Sequence, residues 1–269
     1  MKSNRMTSRH HELTDLLERI LEKEISINYY TELIKPIGYK LNAHAKSLNL
    51  LSKSIFDISS LIAITRAQLE TYTTFYFLYK KGIEEERIFR FNLWKLDGIK
   101  ERRKFTISLE DFTPKEQEAF LTQIREENEQ IEYLESFLSS HAYLKEIPVE
   151  YQKKVIHNSQ WKFDLNKMIR KENKFMYTIK EMVENTNIKK LYIDDMYSYF
   201  SMHSHTNYIS VIQNQQTTDE TFEVTDNFIN RYSMILLTYF IDLYLEIMDQ
   251  NIEEYCDKNH IYYSFKKML

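Results

Sequence analysis

Residues 55–79 read IFDISSLIAITRAQLETYTTFYFLY, a run with neither glycine nor proline. Apolar and aromatic side chains fall on almost every side of a helix drawn through it, so the stretch reads as a helix set in a core. Its few strongly polar side chains include Arg66 and Glu70, one helical turn apart. A second stretch, Tyr192 to Gln213, carries Ser201 and His205 at the same spacing. The expectation is that these two helices pack together and share one buried polar cluster.

The composition extends this reading to the whole chain. Three glycines and three prolines stand against twenty tyrosines and sixteen phenylalanines in 269 residues. So few turn residues cannot punctuate a many-stranded sheet, whereas long helices joined by short polar links need few. The expected fold is therefore all-α, a multi-helix bundle of long antiparallel helices. With 43% hydrophobic and 28% charged residues the chain resembles an ordinary globular protein and can bury a full core. No repeat or low-complexity linker divides it, so one domain over 1–269 is expected, with 105–160 as a peripheral helical insertion.

Charge and cysteine usage narrow the partners. A net charge of -4 argues against broad DNA or phosphate binding, while leaving room for a local basic patch. Cys256 stands alone, so no internal disulfide and no cysteine zinc site is expected. The opening MKSNRMTSRHHELTD has basic residues with no apolar core after them, unlike a secretion signal. The runs 55–79 and 234–248 are each interrupted by charges, Arg66 and Glu70 in one and Asp242 and Glu246 in the other. Neither offers an uncharged span long enough for a bilayer. A cytoplasmic protein is expected, with no membrane contact and no cofactor.

Taken in order, the first dozen residues read as a loose tail. Leu13, Leu16, Leu17, Ile20, Leu21 and Ile25 then recur at helical spacing, and Pro36 with Gly38 is expected to end that helix near Leu33. A second helical region begins near Tyr39 and continues, with a break, into the central stretch, which Gly82 closes. Glu84 to Lys104 is acidic in its first turn and basic in its last, as the helix dipole favours. Phe105 to Leu109 reads as an extended linker. Thr113-Pro114-Lys115-Glu116 reads as a helix start with threonine as cap, and that helix runs to about Ser139. Short helices are expected from Pro148 to about His157 and from Phe163 to Glu184. The last long helix, about Asp226 to Tyr255, carries a wide apolar face.

On a helical wheel Asp194, Tyr197, Ser201, His205 and Tyr208 lie within roughly 40° of a common direction, with His203 on the far side. His203 and His205 therefore form no two-histidine metal grip, and no His-Glu-x-x-His or Glu-x-x-His occurs. Arg66 precedes Glu70, the less favourable order for an exposed pair. Leu61, Ile62, Ile64, Leu69, Phe75 and Phe77 around them point to burial, where each charge needs a partner. Two readings stand. In one, the cluster is a structural network locking two core helices in register. In the other, Arg66 holds an anion such as a phosphate while His205 acts as acid or base and Glu70 orients it. The segment Arg87-x-x-Arg90-Phe91-x-x-Trp94-Lys95 mixes cations with aromatics and reads as a solvated helix face with arginines stacked on rings, rather than a nucleic-acid surface.

Arg66-Ala-x-x-Glu70 in an aromatic-rich helix, followed by Tyr197-x-x-x-Ser201-x-x-x-His205-Thr-Asn, resembles an uncharacterised bacterial all-helical family of unknown function. The resemblance covers roughly Ile55 to Tyr208. That family is distantly similar to HEPN-type bundles, many of them ribonucleases or nucleotide-binding partners in toxin–antitoxin and antiphage systems. The resemblance implies a HEPN-like core and a nucleotide or RNA partner, while a homodimer is expected from the tyrosine and methionine excess on the last helices, since bundles with so much aromatic surface often self-associate. The two polar stripes themselves single out His205 and Glu70 as the expected catalytic residues, with Arg66, Ser201, Tyr197 and Asp194 as ligand-binding ones. The ribonuclease members place a histidine a few residues after an arginine on a late helix. Here Arg231 has no such histidine, so whether the chain is an enzyme stays open.

Overall fold

A chain with three glycines must stop most of its helices without them, and this one does so with strained residues of other types. The computed structural model describes residues 2–24, 26, 28–54, 57–104, 112–203 and 218–269. Helices α6 (Val149–His157), α7 (Leu165–Ile169) and α10 (Asp219–Ile247) are followed by Ser159, Lys171 and Asp249 with φ of 50°, 56° and 49°. Each left-handed residue lets the next amide reach back to a last-turn carbonyl: Gln160 to Val155 at 2.9 Å, Glu172 to Lys167 at 2.9 Å and Gln250 to Leu245 at 2.9 Å. Gly82 alone among the glycines takes this conformation, at φ 85° after α3 (Ile58–Tyr79).

Among the described residues all regular secondary structure is helical, apart from one isolated antiparallel bridge between Phe163 and Met176. They gather into two compact units, one of residues 1–79 and 179–269, the other of 80–178. The segment 105–160 falls within the second. The remaining helices of the first unit are α1 (Lys2–Glu22), α2 (Ile34–Ser54), α8 (Ile179–Glu184), α9 (Lys190–His203) and α11 (Ile261–Lys266). Those of the second are α4 (Glu84–Arg103) and α5 (Pro114–Ser140), with a 3-10 turn at Ala142–Glu146.

In the first unit α3 packs on α2, α8, α9 and α10, and α1 packs on α2, α10 and α11. The most enclosed helix is α10, buried at every position from Tyr232 to Leu245 except Asp242. A helix apolar all round belongs at the centre of a bundle, so α10 shares the organising role expected of 55–79 alone. Gly38 serves close approach: a Cβ there would sit 2.6 Å from the Leu21 side chain and 3.1 Å from Phe240.

Several boundaries differ from expectation. The loose tail is helix from Lys2, because His10 is fully buried and extends the core stripe of Leu13, Leu17 and Leu21 by a turn that apolar counting misses. The helix ends at Glu22 and not near Leu33. Pro36 and Gly38 lie inside the start of α2, where a missing N–H costs nothing because first-turn amides lack helical partners. The helix expected over Phe163–Glu184 is two short ones, since Lys171 turns the chain back and Asp164 N donates to Phe175 O at 2.8 Å. The last long helix runs over Asp219–Ile247, seven residues earlier at its start. Thr218 caps it with a hydroxyl that accepts from Thr221 N. Phe105–Leu109 lies outside the described residues.

The second unit confirms the Thr113 start: a capping box joins Thr113 and Glu116, with Pro114 in the first turn. Its centre corrects the expectation for α4. Phe89, Arg90, Phe91, Asn92, Leu93 and Leu96 are buried, so this is no solvated face. Arg90 does lie on a ring, its guanidinium carbon 4.4 Å from the Phe163 centroid, but inside the core. The later cations of α4 face α5: Arg102 pairs with Glu127 at 2.5 Å and Arg103 donates to Asn128 Oδ1 at 2.6 Å.

Candidate functional site

Helix α3 buries Ile58, Leu61, Ile62, Thr65, Leu69, Tyr72, Phe75 and Tyr79, a stripe at helical spacing that meets its neighbours. Arg66 sits about 110° and Glu70 about 150° round from the centre of that stripe. Arg66 Nε donates to Glu70 Oε1 at 2.9 Å, and their side chains are 24% and 38% exposed. The pair is therefore half-buried, not enclosed as the neighbouring apolar residues implied. Ile64, on the other flank of the stripe, is also only half-buried, so the packed face of α3 is bounded on both sides.

Helix α9 packs against α3, as the two polar stripes led one to expect. Ile193, Met196 and Phe200 form its buried stripe. Tyr197 is half-buried at the margin of that stripe, and Asp194 is exposed. Ser201 belongs to α9, but its side chain, like all of His205 and Tyr208, lies outside the described residues. What the structure brings together is thus the helix bearing Arg66 and Glu70 and the helix bearing Asp194, Tyr197 and Ser201. Arg66 and Glu70 on α3, and Asp194 and Tyr197 on α9, each keep access to solvent.

A family model of unknown function, DUF5677, matches residues 38–222. The chain belongs to that family. Neither a curated protein nor a solved structure matches it. The DUF5677 segment holds Arg66, Glu70, Asp194, Tyr197, Ser201 and His205, and the whole of the unit 80–178. It leaves out α1 and most of α10, which close the core of the other unit. Among the described residues, no helix of this DUF5677 protein is long and apolar enough to cross a membrane.

Sequence reasoning passed over Gln68, which lies between Arg66 and Glu70 in the chain but on the core side of α3. It is fully buried, and among the described residues neither its amide nitrogen nor its oxygen has a hydrogen-bond partner. Nearby threonines escape this problem by bonding back along the helix, Thr65 to Leu61 O and Thr73 to Leu69 O, each at 2.8 Å. An orphaned buried amide costs about 1–3 kcal/mol. Gln68→Met, similar in volume and free of polar hydrogens, is expected to raise stability by about 1 kcal/mol. A higher midpoint for loss of helical circular dichroism in urea would show it, and a lower one would mean that the amide holds something in place.

Proposed function

We propose that this DUF5677 chain is a HEPN-like cytoplasmic helical protein of bacterial origin that binds a nucleotide or RNA at the α3–α9 seam. In this proposal it acts as a homodimer within a toxin–antitoxin or antiphage system. The observation that carries the reading is the solvent access of Arg66. A guanidinium held at Nε by Glu70 and a quarter exposed can be reached by a phosphate oxygen, which a sealed core network would forbid. Tyr197 and Asp194 on the facing helix supply further polar contacts. Ser201 is assigned to the ligand, and His205 acts as acid or base with Glu70 orienting it.

A non-catalytic interaction module with a structural polar cluster is the second reading. It draws support from Arg66 and Glu70 satisfying one another within a single helix. The two readings separate on Arg66→Ala. Because Glu70 keeps its own access to water, loss of its partner is expected to cost well under about 1 kcal/mol. Binding of a short RNA or a nucleotide, measured by titration, is expected to weaken about ten-fold or more in Arg66→Ala and in His205→Ala. Binding unchanged by both substitutions would remove the site.

A further inference from the structure

The unit 80–178 contains a groove of about 850 Å³ between α4, α5 and α6. Lys100, Lys153, Lys154 and His157 line it, against Glu135 as the only carboxylate among its lining residues. That carboxylate is already engaged, because Lys100 Nζ lies 2.7 Å from Glu135 Oε1 and donates to His157 O at 2.9 Å. Cations near a helix C-terminus ordinarily serve its dipole. Here Lys100 fills that role at the end of α6. Lys154 instead lies over the Phe175 ring, 5.2 Å from its centroid. Among the described residues neither Lys153 nor Lys154 meets a carboxylate, although cations elsewhere in this acidic chain commonly do.

We infer that this groove is an anion site for the phosphate chain of a small polyphosphate ligand. Its volume falls within the range of small-molecule pockets and far exceeds one phosphate. Lysine ammonium groups act as point charges that donate to phosphate oxygens in many geometries. The imidazole of His157 is the one aromatic ring among the lining residues, set against three lysine ammonium groups, so charge outweighs stacking in what the groove can grip. The site therefore selects charge and not nucleobase. It lies in a different unit from the α3–α9 seam and does not depend on it.

The test is calorimetric titration of the full chain carrying Arg66→Ala, which silences the seam, with inorganic tripolyphosphate, ATP and GTP. All three are expected to bind with affinities within about three-fold of each other, more weakly as salt rises. Adding Lys153→Gln with Lys154→Gln is expected to weaken binding by about ten-fold or more, while the two arginine replacements keep it. Lys153 is exposed, so Lys153→Glu gives a single charge reversal that leaves the fold intact and should weaken binding in the same sense. No tripolyphosphate binding at millimolar concentration, binding indifferent to these substitutions, or strong preference for one base would each overturn the inference.

Discussion

Replacing Arg90 by alanine is expected to cost the unit 80–178 about 3–5 kcal/mol, the range for removing one partner of a buried ion pair. The side chain is 1% exposed and makes one set of bonds that no other residue can supply. One Nη donates to Trp161 O at 2.7 Å and Phe163 O at 3.3 Å, while the other meets Glu86 Oε1 at 2.5 Å. Without the guanidinium, two carbonyls lose their donor and Glu86 keeps a charge that is four-fifths buried. Lysine is expected to rescue little, since a single ammonium cannot span two carbonyls and a carboxylate. Both tryptophans, Trp94 and Trp161, lie in this unit, so their fluorescence during urea unfolding reads it selectively. A fluorescence midpoint unmoved by Arg90→Ala would refute this account of the core. Glu86→Gln on the Arg90→Met background should recover part of the loss, because the stranded charge is then gone.

Arg90 also shows where the sequence stops being legible. An arginine among phenylalanines and lysines carries the same signal whether it faces water or the core, because what decides is the backbone arriving from Trp161 and Phe163. The fold class was readable because composition left no material for sheets. The Thr113 cap was readable because its chemistry is local. The ends of α7 and α10 were hidden for the opposite reason: Lys171 and Asp249 adopt left-handed backbone that sequence rules reserve for glycine. For the seam, spacing put Arg66 and Glu70 on one face of α3, but that α9 lies beside α3 was a conjecture from two matching polar stripes, which the packing of the helices bears out. Spacing could not fix the rotation of α3, and that rotation decides whether the pair is sealed or open to ligand. Gln68 was missed because a glutamine two residues from a charged pair reads as more of the same polar surface.

Acid is expected to weaken the first unit through His10. This imidazole is fully enclosed between α1, α2 and α10, with Nε2 lying 2.8 Å from Ser233 Oγ. Burial pushes its pKa down from 6.5 to about 4, an effect that Asn49 offsets in part and His11 reinforces. Above pH 6.5 the ring is neutral in both folded and unfolded chains and exerts no pH dependence. As the pH falls below that value the unfolded chain takes up a proton that the folded core refuses, so stability drops until the folded ring also protonates near 4. A displacement of that size is worth about 3 kcal/mol across the window. His44 and His260 are also lowered by burial and act in the same sense, whereas burial raises Asp226 and opposes them. His10→Gln isolates the one group: it stays neutral at every pH and can still reach Ser233. Urea midpoints followed by circular dichroism at pH 7, 6, 5 and 4.5 should fall more steeply for the natural chain than for His10→Gln. Parallel curves would mean that the core admits the proton, and that α1 opens at its His10 end before the bundle does.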